Sequence, residues 1–127
     1  YIHSKNYLHR DITPKNVLLK KYDDVLVVKI SDFGLVKTPE SQLTSYCTEM
    51  KGYCNDPNLK FDGFSNYDIT HEIYALTYLI FFICTGKDSI TGYTGKLKDL
   101  VLLGMNPNKN LRPKNIIELK NLFEKYY

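Results

Sequence analysis

Three residues in this 127-residue chain have types and spacing that could do chemistry: Asp11, Asn16 and Asp32. Asp11 closes the tripeptide His9-Arg10-Asp11, Asn16 follows shortly after, and Asp32 opens Asp32-Phe33-Gly34. A carboxylate and a side-chain carbonyl are hard oxygen donors of the kind magnesium accepts beside phosphate oxygens. A second carboxylate, held near the metal but off it, can orient a hydroxyl and take its proton. Phosphoryl transfer asks mainly for positioning and charge neutralisation. Asn16 and Asp32 as metal ligands, with Asp11 as base, are therefore a chemically sufficient set. The bland alternative is that these side chains cap loops through local hydrogen bonds.

Such groups need elements to present them. Asn16 to Lys20 and Val25 to Ile30 are short runs rich in Val, Leu and Ile, and Tyr22-Asp23-Asp24 lies between them. That pattern predicts a β-hairpin with Asn16 and Asp32 at its two open ends. Tyr1 to Lys5 reads as the last turn of a helix, ended at Lys5-Asn6. Residues 35 to 67 are polar and lack periodicity, as a long functional loop would. Residues 70 to 85 are apolar on nearly every side, which predicts a helix buried all round, with Thr70 as N-cap and Gly86 as its stop. Lys96 to Leu103 suits a short helix. Pro113 is expected in the first position of a last helix whose inner face carries Ile116, Ile117, Leu119, Leu122 and Phe123. The expected class is mainly α with a small β-hairpin, in one unit over residues 1–127 with no internal repeat.

Composition sets limits. A hydrophobic fraction of 43% and a charged fraction of 24% are values of a folded domain rather than a disordered chain. The net charge of +3 comes from lysines spread along the chain, so no basic stripe points to nucleic acid. Cys47, Cys54 and Cys84 share no metal-ligand spacing and suit a reducing, cytoplasmic setting, with Cys84 as plain core. The apolar run from Ile73 to Cys84 is too short to span a bilayer. No signal peptide opens the chain, and its start at Tyr1 in mid-pattern reads as that of a fragment.

His-Arg-Asp-x-x-x-x-Asn followed by Asp-Phe-Gly resembles the catalytic and metal-binding loops of eukaryotic-type (Hanks-type) protein kinases. The resemblance continues through His71-Glu72-Ile73-Tyr74-Ala75-Leu76 to Thr85-Gly86-Lys87, which is similar to the buried central helix of the kinase C-lobe. Leu111-Arg112-Pro113 is similar to the Arg-Pro before the last helix of that lobe. The only two arginines, Arg10 and Arg112, both fall on family arginine positions. The resemblance implies a C-lobe alone: the end of helix E, catalytic loop, hairpin, activation segment, helix F, a short G/H region and helix I. The N-lobe, with its Gly-rich loop and phosphate lysine, is absent and is the expected partner, alongside a protein substrate.

By the same resemblance Asp11 is the catalytic base, and Asn16 and Asp32 bind ATP through magnesium, with manganese as the alternative ion. His9 packs on Phe33, and Gly34 lets the loop turn. Arg10 resembles the arginine that pairs with a phosphorylated loop, with Thr44, Ser45 and Thr48 as candidate phosphosites. Glu72 stands where an Asp accepts amide bonds from the catalytic loop, with Asp68 as the alternative. The chain also departs from the family. Thr13 replaces a phosphate-neutralising lysine, leaving Lys15 as the nearby charge, and Pro14 leans to the serine/threonine pattern. Asn58 stands where a glutamate pairs with Arg112, so another partner, Asp56 or Asp62, is expected. Tyr53 sits near the usual Thr, and the stretch from Gly86 to Arg112 is short.

The implied function is phosphoryl transfer from ATP to protein hydroxyls, serine or threonine rather than tyrosine. The lysine-rich, arginine-poor composition suits an AT-rich, bacterial genome. The chain alone is expected to be inactive. Two alternatives stay open: a pseudokinase or binding module, and a small-molecule phosphotransferase of the aminoglycoside type.

Overall fold

The computed structural model describes residues 1–36 and 54–127. Its elements are a two-stranded antiparallel sheet and four α-helices, with one-turn 3-10 segments between them. The strands are β1 (Val17–Tyr22) and β2 (Val25–Ile30), paired in register from Val17 opposite Ile30 to Tyr22 opposite Val25. Asp23, with φ 48°, makes the two-residue turn in a left-handed conformation that Asp tolerates better than most residues. Leu18, Leu19, Val25, Leu26 and Val28 are all exposed, so both faces of this hairpin carry uncovered apolar side chains.

The helices are α1 (Leu59–Asp62), α2 (Ile69–Thr85), α3 (Lys98–Gly104) and α4 (Ile116–Tyr126). α2 is the axle. One side packs with Cys54, Tyr78, Phe81, Val101 and Met105; a second with Ile73, Leu97, Leu100 and Leu119; a third sets Ala75 and Leu79 against Ile12. Three packed faces explain why the sequence is apolar nearly all round, each buried aliphatic side chain contributing about 1.5–3 kcal/mol. The burial ends before the helix does, for Ile83 in the last turn is 63% exposed. α3 approaches α2 at Gly104, where an added Cβ would collide with the Thr77 side chain.

Two helix starts differ from expectation. Asp68, not Thr70, caps α2: its carboxylate accepts from the amides of Thr70 (2.8 Å) and His71 (3.4 Å), and the His71 ring accepts from the Asp68 amide in return. Two amide bonds outweigh what Thr70 could offer from inside the first turn, and its hydroxyl donates to Asp68 instead. Gly86 does end α2, at φ 66°, with its amide donating to the Phe82 carbonyl at 2.8 Å. α4 begins at the N-cap Asn115, which accepts from the Glu118 amide at 2.9 Å, so Pro113 lies before the helix rather than in it. The Asn115–Glu118 pair supplies the cap that Pro113 lacks. Leu119 is buried and Leu122 and Phe123 partly so, whereas Ile117 points to solvent at 68% exposure.

Candidate active site

The site is assembled around a buried carboxylate. Glu72, fully buried in the first turn of α2, accepts from the His9 amide through Oε1 and from the Arg10 amide through Oε2, both at 3.0 Å. Asp68 is taken up with capping, so Glu72 holds the loop. Two charge-assisted bonds are stronger than ordinary ones, and they have a strained backbone to hold: Arg10 sits at φ 68°.

His9 fixes the next step. Its Nδ1 accepts from the Asp11 amide (3.3 Å), so Nε2 carries the proton and donates to the Ser31 carbonyl (2.9 Å). One neutral ring thus ties the Asp11 loop to the end of β2. The ring also meets Phe33 edge-on, with centroids 4.9 Å apart. From the other strand end, the Asn16 amide nitrogen donates to the Asp11 carboxylate (3.0 Å) and to the Asp11 carbonyl (2.9 Å). The Asn16 carbonyl on the main chain accepts from the Ser31 amide (2.8 Å) and hydroxyl (3.2 Å). The hairpin ladder therefore brings Asp11, Asn16 and the start of the Asp32 loop together.

Asn16 uses its nitrogen on Asp11 and keeps its side-chain oxygen as a donor to a cation. Asp32 is exposed and lies at φ 63°, with one carboxylate oxygen accepting from the Gly34 amide at 3.4 Å. The left-handed residue of this turn is thus Asp32 and not Gly34. Gly34 matters by close approach, since a Cβ there would stand 3.3 Å from the Asp32 carboxylate. Asn16 and Asp32 offer hard oxygens of the kind magnesium accepts, with phosphate oxygens and water completing its shell. Thr13 is buried and its carbonyl accepts from the Asn16 amide (3.1 Å), while Lys15 is exposed. Cys54 is buried; desolvation first and the charge of Asp11 second push its thiol up to about 11.

Arg10 runs away from this cluster. It is 4% exposed, stacks 3.9 Å above the Phe64 ring and donates to the Phe64 carbonyl at 2.9 Å. Burial lowers its pKa, partly offset by Tyr67 and Glu72. Thr44, Ser45 and Thr48, with Tyr53, lie outside the described residues.

Arg112 is buried and paired with the Asp56 carboxylate, and it also donates to the carbonyls of Thr70 (3.0 Å) and Asn106 (2.7 Å). Of the two acids expected for it, Asp56 is the partner. Asp62 instead accepts from His71 (3.0 Å) and Lys109 (2.5 Å). Asn58 donates to the Pro107 carbonyl at 2.9 Å. The sequence reading missed His3, whose Nε2 reaches Glu72 Oε1 at 2.6 Å, and the His71–Asp62–Lys109 chain. Neither carries a periodic or motif signal that could have revealed it.

The sequence profile described as protein kinase domain matches residues 1–104. The chain belongs to the protein kinase domain family. It is 32% identical to the mitogen-activated protein kinase mpkC of Aspergillus clavatus over 72% of the chain and 23% of that protein. It is 35% identical to the probable serine/threonine-protein kinase glkA of Dictyostelium discoideum over 72% of the chain and 19% of that protein. With the serine/threonine-protein kinase Nek1 of Toxoplasma gondii it shares 24% identity over 86% of the chain and 8% of that protein. The chain thus spans about a quarter or less of the curated relatives it matches. No helix among the described residues is long and apolar enough to cross a membrane.

Proposed function

We propose that this chain supplies the catalytic and metal-binding loops of a protein kinase that transfers the ATP γ-phosphoryl group to serine or threonine hydroxyls of proteins. The observation that carries the reading is the Asn16 side chain bonded to the Asp11 carboxylate while its backbone is clamped to Ser31. Asp11 orients the acceptor hydroxyl and takes its proton as the phosphoryl group moves to it. Asn16 and Asp32 hold the magnesium, which neutralises charge on the ATP phosphates. Exposed Lys15 lies closest in sequence to the role that buried Thr13 leaves open. Glu72 and α2 anchor the loop in the manner of helix F of a C-lobe, and α4 corresponds to helix I.

The chain by itself lacks half of an ATP cleft and is inactive. Support comes from the hairpin, whose exposed Leu18, Leu19, Leu26 and Val28 are the surface an N-lobe would cover. The protein acts in the cytoplasm, a reading in keeping with the free thiols of Cys54 and Cys84.

The test uses the full protein with magnesium and labelled ATP, beside its Asp11→Asn and Asp32→Ala variants. Label on serine or threonine that both variants lose is expected. ATP binding without label in the unsubstituted protein sinks the catalytic reading and favours a binding module. Label on a small alcohol and on no protein favours the small-molecule phosphotransferase.

A further inference from the structure

We propose that Phe64 is a positioning residue for Arg10, and through Arg10 for Asp11, so that transfer does not wait on phosphorylation of Thr44, Ser45 or Thr48. The catalytic part of the proposal rests on the kinase reading above. An arginine that receives a phosphate must present its N–H fork to the incoming anion. Arg10 has turned most of that fork inward. The residue is 4% exposed, its Nη2 donates to the Phe64 carbonyl at 2.9 Å, and its Nε is buried with no hydrogen-bond partner among the described residues. The centre of the guanidinium lies 3.9 Å from the centre of the Phe64 ring and 5.8 Å from that of Tyr67. Glu72 lies close enough for its charge to offset part of the burial. A phosphate could meet Nε only after the stack on Phe64 had come apart.

The seat for Arg10 is rigid. Phe64 opens a one-turn 3-10 helix, Phe64–Asn66, which the chain enters through Gly63 at φ 76°. The Asn66 amide donates to the Gly63 carbonyl (3.1 Å), and its side chain donates to the Asp62 carbonyl (2.7 Å). Asp62 is itself tied to His71 and Lys109. The Phe64 carbonyl accepts from the Tyr67 amide (3.2 Å) as well as from Arg10. The Phe64 ring meets that of buried Tyr67 edge-on, with centroids 5.7 Å apart. Arg10 is therefore gripped at two ends, its amide by Glu72 and its guanidinium by Phe64. Its φ of 68° is one that a residue other than glycine abandons when freed. Releasing the guanidinium end lets Arg10 relax, and Asp11, the next residue, moves with it. A small displacement of a catalytic base costs rate far more than binding. The Phe64 ring is spent on Arg10 and Tyr67, so the loss falls on kcat.

The test uses the full protein, freed of phosphate by a phosphatase and checked by intact mass. Phe64→Leu removes the ring and keeps the carbonyl; Phe64→Tyr keeps both. Initial rates give kcat and the KM for ATP and for a peptide acceptor, and amide hydrogen exchange is read at Arg10 and Asp11. The phosphate-free protein, and a variant carrying Thr44→Ala, Ser45→Ala and Thr48→Ala together, should keep kcat within about twofold. Phe64→Leu should lower kcat about tenfold, with each KM held within about twofold and exchange at both amides about tenfold faster. Phe64→Tyr should restore rate and exchange. Arg10→Lys, which cannot stack as a plane, should lose a similar factor, and the double variant no more than either alone. A phosphate-free protein that loses its rate and regains it on rephosphorylation overturns the proposal. So does an unchanged kcat in Phe64→Leu, or losses that multiply in the double variant. Faster exchange over the whole chain with a matching fall in Tm shows a merely structural role and is equally fatal. If Phe64→Leu does not fold, Phe64→Met is read in the same way. If the protein transfers no phosphate before or after the phosphatase, the kinase reading fails, and exchange at Arg10 and Asp11 still decides whether Phe64 holds the loop.

Discussion

The buried pair of Arg112 and Asp56 shows most directly what one residue contributes. Arg112 is 2% exposed and Asp56 1%, so neither charge has water to fall back on. Removing Asp56 strands the guanidinium: Asp56→Ala should cost about 3–5 kcal/mol in urea unfolding. Asp62 behaves differently. Its carboxyl pKa is lowered, first by the hydrogen bond from Lys109 and then by that from His71. A depressed folded pKa means stability that is present above the unfolded carboxyl value and lost as pH falls through the folded one. Tm should therefore drop as pH falls below about 4, and Asp62→Asn should flatten part of that drop. Equal slopes in the two proteins would assign the acid sensitivity elsewhere. Asp11, Asn16 and Asp32 could be proposed from the sequence because their chemistry is written in short local motifs. The sequence could not choose between Asp56 and Asp62 for Arg112, because that choice depends on where a distant segment lands.

Among the elements, α2 decides the fold, and its all-round apolar character was readable because three separate clusters need its faces. Its cap was harder to read. Asp68 and Thr70 are both good cap residues, and only the reciprocal bond from His71 separates them. Pro113 misled for a related reason: it buries itself beside Arg112 while Asn115 does the capping. The contact of α3 with α2 leaves no trace in hydrophobic patterning, because it depends on the missing side chain of Gly104. Gly104→Ala should destabilise by about 1–3 kcal/mol through overpacking, despite the better helix propensity of alanine. Adding Thr77→Ala should recover part of that loss. A strictly additive double mutant would show that the two positions do not compete for space.

For the molecule as a whole, the hairpin and the helical body have opposite relations to solvent. The body closes around α2, while Leu18, Leu19, Val25, Leu26 and Val28 stay open. Residues 1–127 alone should self-associate, and Leu19→Lys with Leu26→Lys should make light scattering fall without lowering Tm. A fall in Tm would mean that these side chains carry folding energy in the isolated chain. The clasp between Asp56 and Arg112 has a further consequence, in time rather than in energy. It joins positions 56 apart in sequence, so a long stretch of chain must be closed before the two can meet. Contacts of that span form late in folding. The segment from Cys54 to Asp62 should accordingly dock last and leave first. Asp56→Asn should speed unfolding while hardly slowing refolding in stopped-flow chevrons. That segment would then be the part of the body that opens soonest under load, and α2 the part that opens last.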